Sequence, residues 1–131
     1  MCLVVLLAMA AVATGSARAQ DLTINSASDW DNFAAAVSAG DNFANKTVKL
    51  NADITVTTMV GTSAFKFAGT FDGGGHTLTV NYNTNENFVA PFRYLDGAAI
   101  KYLHVAGTIT TSAQFAGGVV GDSYGNSFVN S

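Results

Sequence analysis

Phe71-Asp72-Gly73-Gly74-Gly75-His76-Thr77-Leu78-Thr79-Val80 carries the two signals from which the architecture can be read. Three glycines after an Asp can hardly continue a helix or a strand. Glycine is the residue that supplies positive φ in tight turns, and Asp-Gly is an ordinary turn dipeptide. The four residues after His76 then alternate, with Thr77 and Thr79 polar and Leu78 and Val80 apolar. That period of two belongs to a strand with one buried face. A glycine loop that cradles phosphate needs a helix after it and usually a Lys, so the segment reads as turn then strand. The alternation extends outward in both directions. Upstream, Val48, Leu50, Ile54 and Val56 alternate with Lys49, Asp53 and Thr55; downstream, Leu103 and Val105 alternate with Tyr102 and His104. Asp96-Gly97 and Gly121-Asp122 supply further turns.

These units recur at a near-constant interval. Leu50, Leu78, Leu103 and Ser131 take equivalent places, spaced 28, 25 and 28 residues apart. A period in the twenties is the mark of stacked solenoid coils. Leucine-rich repeats share the period, but their L-x-x-L-x-L ladder is absent. Short strands separated by glycine turns favour a right-handed parallel β-helix of about three short coils, each stacking its inward Leu, Val, Ile and Phe on the next.

Three motifs carry a family resemblance. Phe71 to Leu78 resembles the F-D-G-x-G-H-T-I/L stretch of large bacterial surface proteins. Ile100-Lys101-Tyr102-Leu103-His104-Val105-Ala106-Gly107 resembles their I-K-N-L-x-V-x-G. Phe115-Ala116-Gly117-Gly118-Val119-Val120-Gly121 looks like the GLUG motif that follows it. The resemblance covers roughly residues 45–131. It departs from the pattern at Phe92-Arg93-Tyr94, where F-G-x is frequent, and at Tyr102, where Asn is usual. It implies a secreted or cell-surface repeat scaffold, adhesin-like, of the kind found in gut and oral bacteria. It names no catalytic residue.

Outside the repeats, Ser28-Asp29-Trp30-Asp31 opens like a capping box, and Trp30, Phe33, Ala34 and Val37 follow the spacing of one helix face. With Gly40 as a fitting terminator, a helix is expected from about Asp29 to Ala39, capping the N-terminal end of the solenoid, with Trp30 and Phe33 near Val48 and Leu50. Ahead of it, the apolar run Leu3 to Ala13 and then Ala17-Arg18-Ala19 read as a signal peptide over residues 1–19. Residues 20–44 are then an N-terminal segment with the capping helix, and residues 45–131 are GLUG-like β-helix repeats, expected to be incomplete at the C-terminus. The only cysteine, Cys2, lies in the leader, so the exported part has no disulfide and no Cys ligand.

Composition fits a β-rich chain. Apolar residues make up 49% and charged residues 11%, with 13 Gly and one Pro. The formal net charge of −3 becomes −4 once Arg18 leaves with the leader. No basic run exists to support nucleic-acid binding, and no membrane span is expected after leader removal.

Chemical sites are sparse. His76 and His104 lack the company a metal site needs, and Asp53, Asp72, Asp96 and Asp122 stand singly at turns. Arg93 and Lys101 near Asp96 form the one candidate cluster, better explained as surface ion pairing. No catalytic residue, cofactor or metal site is expected. Tyr82, Tyr94, Tyr102 and Tyr124 are the candidate ligand-facing residues, because a Tyr ring can stack on a sugar while its hydroxyl stays wet, and the Asn81 to Asn87 loop could add hydrogen bonds. The expected role is a non-enzymatic surface scaffold or adhesin segment, with host or matrix glycans or proteins as candidate partners and end-to-end self-association at the uncapped C-terminal edge. The alternative is the non-catalytic front of a large secreted protease or polysaccharide-degrading enzyme.

Overall fold

A computed structural model describes residues 22–112, 115–125 and 127–130, without the side chains of residues 128 and 130. Residues 1–19, read above as a signal peptide, and Ser131 lie outside the described residues.

Among the described residues the chain is mainly β with one helix. The strands are β1 (Leu22–Ile24), β2 (Thr47–Leu50), β3 (Ile54–Val56), β4 (Thr70–Asp72), β5 (Thr77–Asn83), β6 (Phe92–Asp96), β7 (Ala99–Lys101), β8 (His104–Thr110), β9 (Val120–Tyr124) and β10 (Phe128–Asn130), and the helix α1 spans Ala27–Ser38. Every strand pairing among the described residues is parallel. The strands form three sheets, in the orders β1-β2-β4-β7-β10, β3-β5-β8 and β6-β9, and no barrel closes. From β2 onward the chain visits the sheets in rotation. Single bridges such as Val60 to Phe92 and Phe67 to Leu95 fill the third sheet where no strand is long enough. β1 lies within residues 20–44 yet pairs with β2, so this segment joins the sheet system and does not stand apart from it.

The register differs from the leucine spacing. Leu78 pairs with Ile54 on one side and Val105 on the other, not with Leu50 and Leu103. Leu50, Leu78 and Leu103 are all buried, so burial alone could not separate the two alignments; hydrogen bonding does. In the Asp72 turn, Gly74 and Gly75 take positive φ, and the Asp72 carboxylate accepts a hydrogen bond from the Gly74 amide at 2.9 Å. That is the turn chemistry expected of an Asp followed by glycines.

α1 starts one cap earlier than the sequence suggested. Ser26 Oγ accepts from the Asp29 amide, and Asp29 Oδ2 accepts from the Asn25 amide. Both Ser26 and Ser28 stand three residues before an Asp; the second Asp, Asp31, is used differently, accepting from Thr58 Oγ1 at 2.7 Å. The helix buries Trp30, Phe33, Ala34 and Val37, the face expected for it. The ring neighbours of Trp30 and Phe33 reach further into the interior than the first strands. Trp30 meets Phe71 and Phe92 edge-on at 5.8 and 5.5 Å, and Phe33 meets Phe43 and Phe67 at 5.2 and 5.4 Å. Edge-to-face geometry is the preferred one for aromatic pairs and adds to the area each ring removes from water. The Thr58 carbonyl accepts from Trp30 Nε1 at 3.1 Å and from the Tyr82 hydroxyl at 2.7 Å. Among the described residues the buried set is apolar or aromatic throughout.

Candidate functional site

The four tyrosines separate into two pairs. Tyr82 continues the inward alternation of Leu78 and Val80 along β5; it is 2% exposed. Burial pushes its phenol well above the ordinary value of 10. Tyr94 is 7% exposed, tilted against Phe88 at 5.4 Å with Arg93 over its ring. Neither is open to solvent as a ligand-facing role requires: Tyr82 falls on an inward position of β5, and Tyr94 is covered by Phe88 and Arg93. Tyr102 and Tyr124 do face outward, at 59% and 48% exposure.

Tyr102 sits in a turn with φ 53°, a left-handed conformation that Asn tolerates far better than Tyr. Its carbonyl accepts from the Gly75 amide at 2.8 Å, tying the turn to the glycines of the preceding unit. Lys101 reaches over the ring at 5.8 Å.

The titratable groups are mostly engaged locally. Arg93 donates through Nε and Nη2 to the Asn87 carbonyl and pairs with Glu86 at 3.4 Å, instead of joining Asp96 and Lys101. It thereby holds the loop after β5, beside an open cavity of about 290 Å³ lined by Thr58, Gly61, Thr62 and Glu86. Lys49, Asp72 and Lys101 form a row of alternating charge across β2, β4 and β7, with Lys49 3.7 Å from Asp72. Asp53 accepts from the Thr77 amide at 2.9 Å and lies 3.4 Å from His76. The Thr77 bond holds the Asp53 carboxyl below its ordinary value; slight desolvation opposes this and His76 adds to it. Among the described residues, no three His, Cys, Asp or Glu side chains gather as metal ligands would.

A feature the sequence did not flag lies beside Phe65. This ring is 46% exposed and lines an open cavity of about 180 Å³ with Gly40, Asn42, Lys66, Ala68 and Asp96. The loop is pinned at its base: the Thr62 amide donates to the Phe65 carbonyl at 2.8 Å, and the Phe65 amide donates back to Thr62 Oγ1 at 3.0 Å. Lys66 Nζ donates to the Ser63 carbonyl at 2.7 Å and sits 4.7 Å from the centre of the Tyr124 ring. Tyr124 stands level with Asp96 across the β6–β9 pair. Its phenol is raised above the ordinary value by a hydrogen bond to Asp122, by that residue's charge and by slight desolvation. The arrangement is a shallow dish with one open aromatic face, a cation and a carboxylate, drawn from three passes of the chain.

No protein-family model, no curated protein and no solved structure matches this chain.

Proposed function

We propose that the chain is a right-handed parallel β-helix acting as a non-enzymatic, secreted or cell-surface scaffold of the adhesin type, similar to GLUG-repeat surface proteins. The observation behind this reading is the rotation of the chain through the same three parallel sheets, with pairs such as Thr77 and Asp53 joined across 24 residues and Ser112 and Asn85 across 27. A chain built this way turns one face of each strand inward and displays the other as a rigid polar surface. On β5 and β8 that outer surface carries Thr77, Thr79, Asn81 and Asn83 beside His104, Ala106, Thr108 and Thr110. Rigid display on regular elements lowers the ordering cost of binding an extracellular partner.

Two readouts test it. A second copy of residues 77–103 inserted after Leu103 adds one full coil in register, and a solenoid tolerates such an insertion with its cooperative melt intact. Loss of folding would defeat the scaffold. Expressed with its leader in a bacterial host, the chain becomes accessible to external protease; retention in the cytosol would defeat the surface reading.

A further inference from the structure

We propose that the dish beside Phe65 is a saccharide-binding site that takes one neutral sugar ring, stacked on Phe65 and held by Lys66 and Asp96 through its hydroxyls. The inference rests on the reading of the chain as an extracellular binding scaffold and gives that scaffold a ligand class and an address.

Size sets the first limit. A cavity of about 180 Å³ open to solvent is below the ~300–1,000 Å³ of sites that enclose drug-sized molecules, so it suits one ring at a time. Chemistry sets the second. Phe65 offers an aromatic face left half in water, and the apolar face of a sugar is a flat surface of C–H groups that can stack on it. Around Phe65 stand a donor, Lys66 Nζ, and an acceptor, the Asp96 carboxylate. A hydroxyl is donor and acceptor at once and satisfies both. An anionic ligand would gain from Lys66 but meet Asp96, with Asp122 bonded to the neighbouring Tyr124. A cation would face Lys66. The mixed pair therefore selects a neutral polyol.

Organisation in advance is the third point. The reciprocal Thr62–Phe65 bonds fix the loop that carries the ring, and Lys66 is held between the Ser63 carbonyl and the Tyr124 ring before any ligand arrives. A cation within about 6 Å of an aromatic centre is drawn to its face, which restricts the long Lys side chain. Less freedom is then lost on binding.

The test is backbone-amide NMR of the isotope-labelled chain titrated with methyl glycosides of glucose, galactose, mannose and N-acetylglucosamine, and with glucuronate as the anionic control. At least one neutral glycoside is expected to shift the amides of Phe65, Lys66, Ala68 and Gly97, more strongly than glucuronate does. Phe65→Ala, an exposed position, keeps the rest of the spectrum and weakens binding at least about tenfold, whereas Phe65→Trp retains it. Asp96→Asn weakens the neutral sugars and relieves the penalty on glucuronate. No shifts with any neutral sugar, a stronger response to glucuronate, or shifts that survive Phe65→Ala would each overturn the site. Shifts centred on Tyr102 would overturn it too while leaving the surface scaffold standing. A cytosolic chain would remove the surface reading and leave the measured binding untouched.

Discussion

β5 and β8 lie side by side over seven residues, and both place apolar groups inward, yet they are buried to different degrees. Leu78, Val80 and Tyr82 of β5 are at most 3% exposed. Their register partners in β8 are Val105, Gly107 and Ile109, and the two apolar side chains among them are only partly covered. The sequences obey the same alternation. What differs is company: β5 has β3 on one side and β8 on the other, whereas among the described residues β8 pairs with β5 alone. Alternation fixes which face a side chain takes. The number of neighbouring strands and the aromatic interior fixes how much water it loses.

The largest expected effect lies where burial is deepest. Trp30→Ala removes a ring with no exposed surface and three ring contacts, and should lower stability by about 3–5 kcal/mol in urea unfolding. A loss under about 1 kcal/mol would mean that the helix does not seal the interior. The β5–β8 contrast itself is sharpened by matched truncations. Leu78→Ala should cost about 2–5 kcal/mol and Val105→Ala a fraction of that, both read from the same denaturant melts. Equal losses would break the account of burial by neighbours.

Gly107 probes the seam between the two strands. Its φ is 114°, and a Cβ there would meet the Val80 carbonyl oxygen. Gly75 also has positive φ but opens onto free space. Gly107→Ala should therefore cost more than the roughly 1 kcal/mol expected of Gly75→Ala, the excess measuring how tightly β8 closes on β5. The smallest effect is electrostatic. Because the folded Asp53 carboxyl is held below 3.8, its contribution is present above that value and fades as pH falls through the lower, folded one. Asp53→Asn should thus be slightly less stable than the parent at neutral pH, with the two melting temperatures converging in acid. A gap that stays constant through the acid range would mean that the effect does not come from the Asp53 charge.

Much of this was legible in advance because it depends on short-range rules. The turn glycines, the period-two strands and the buried face of α1 are consequences of two to eight adjacent residues. Tyr82 was readable by the same rule, since Leu78, Val80 and Tyr82 share one parity and its hydroxyl finds a partner inside. The register was not readable. Leu50 and Ile54 both offer an inward aliphatic residue to Leu78, and only hydrogen bonding between distant segments chooses between them. The dish beside Phe65 was hidden for a related reason: Phe65, Asp96 and Tyr124 become neighbours only once three passes of the chain are in place. No local spacing announces such a meeting.

The Thr58 carbonyl gives the molecule a mechanical link with kinetic meaning. It accepts from Trp30 of the helix and Tyr82 of β5 together, so both of its lone pairs are occupied by groups from different elements. Lifting α1 breaks the indole bond and leaves the Thr58 carbonyl to Tyr82 alone. The helix and the central strand should accordingly open as a single cooperative unit in hydrogen exchange, with the Trp30 indole proton as slow as the amides of β5 and slower than those of β8.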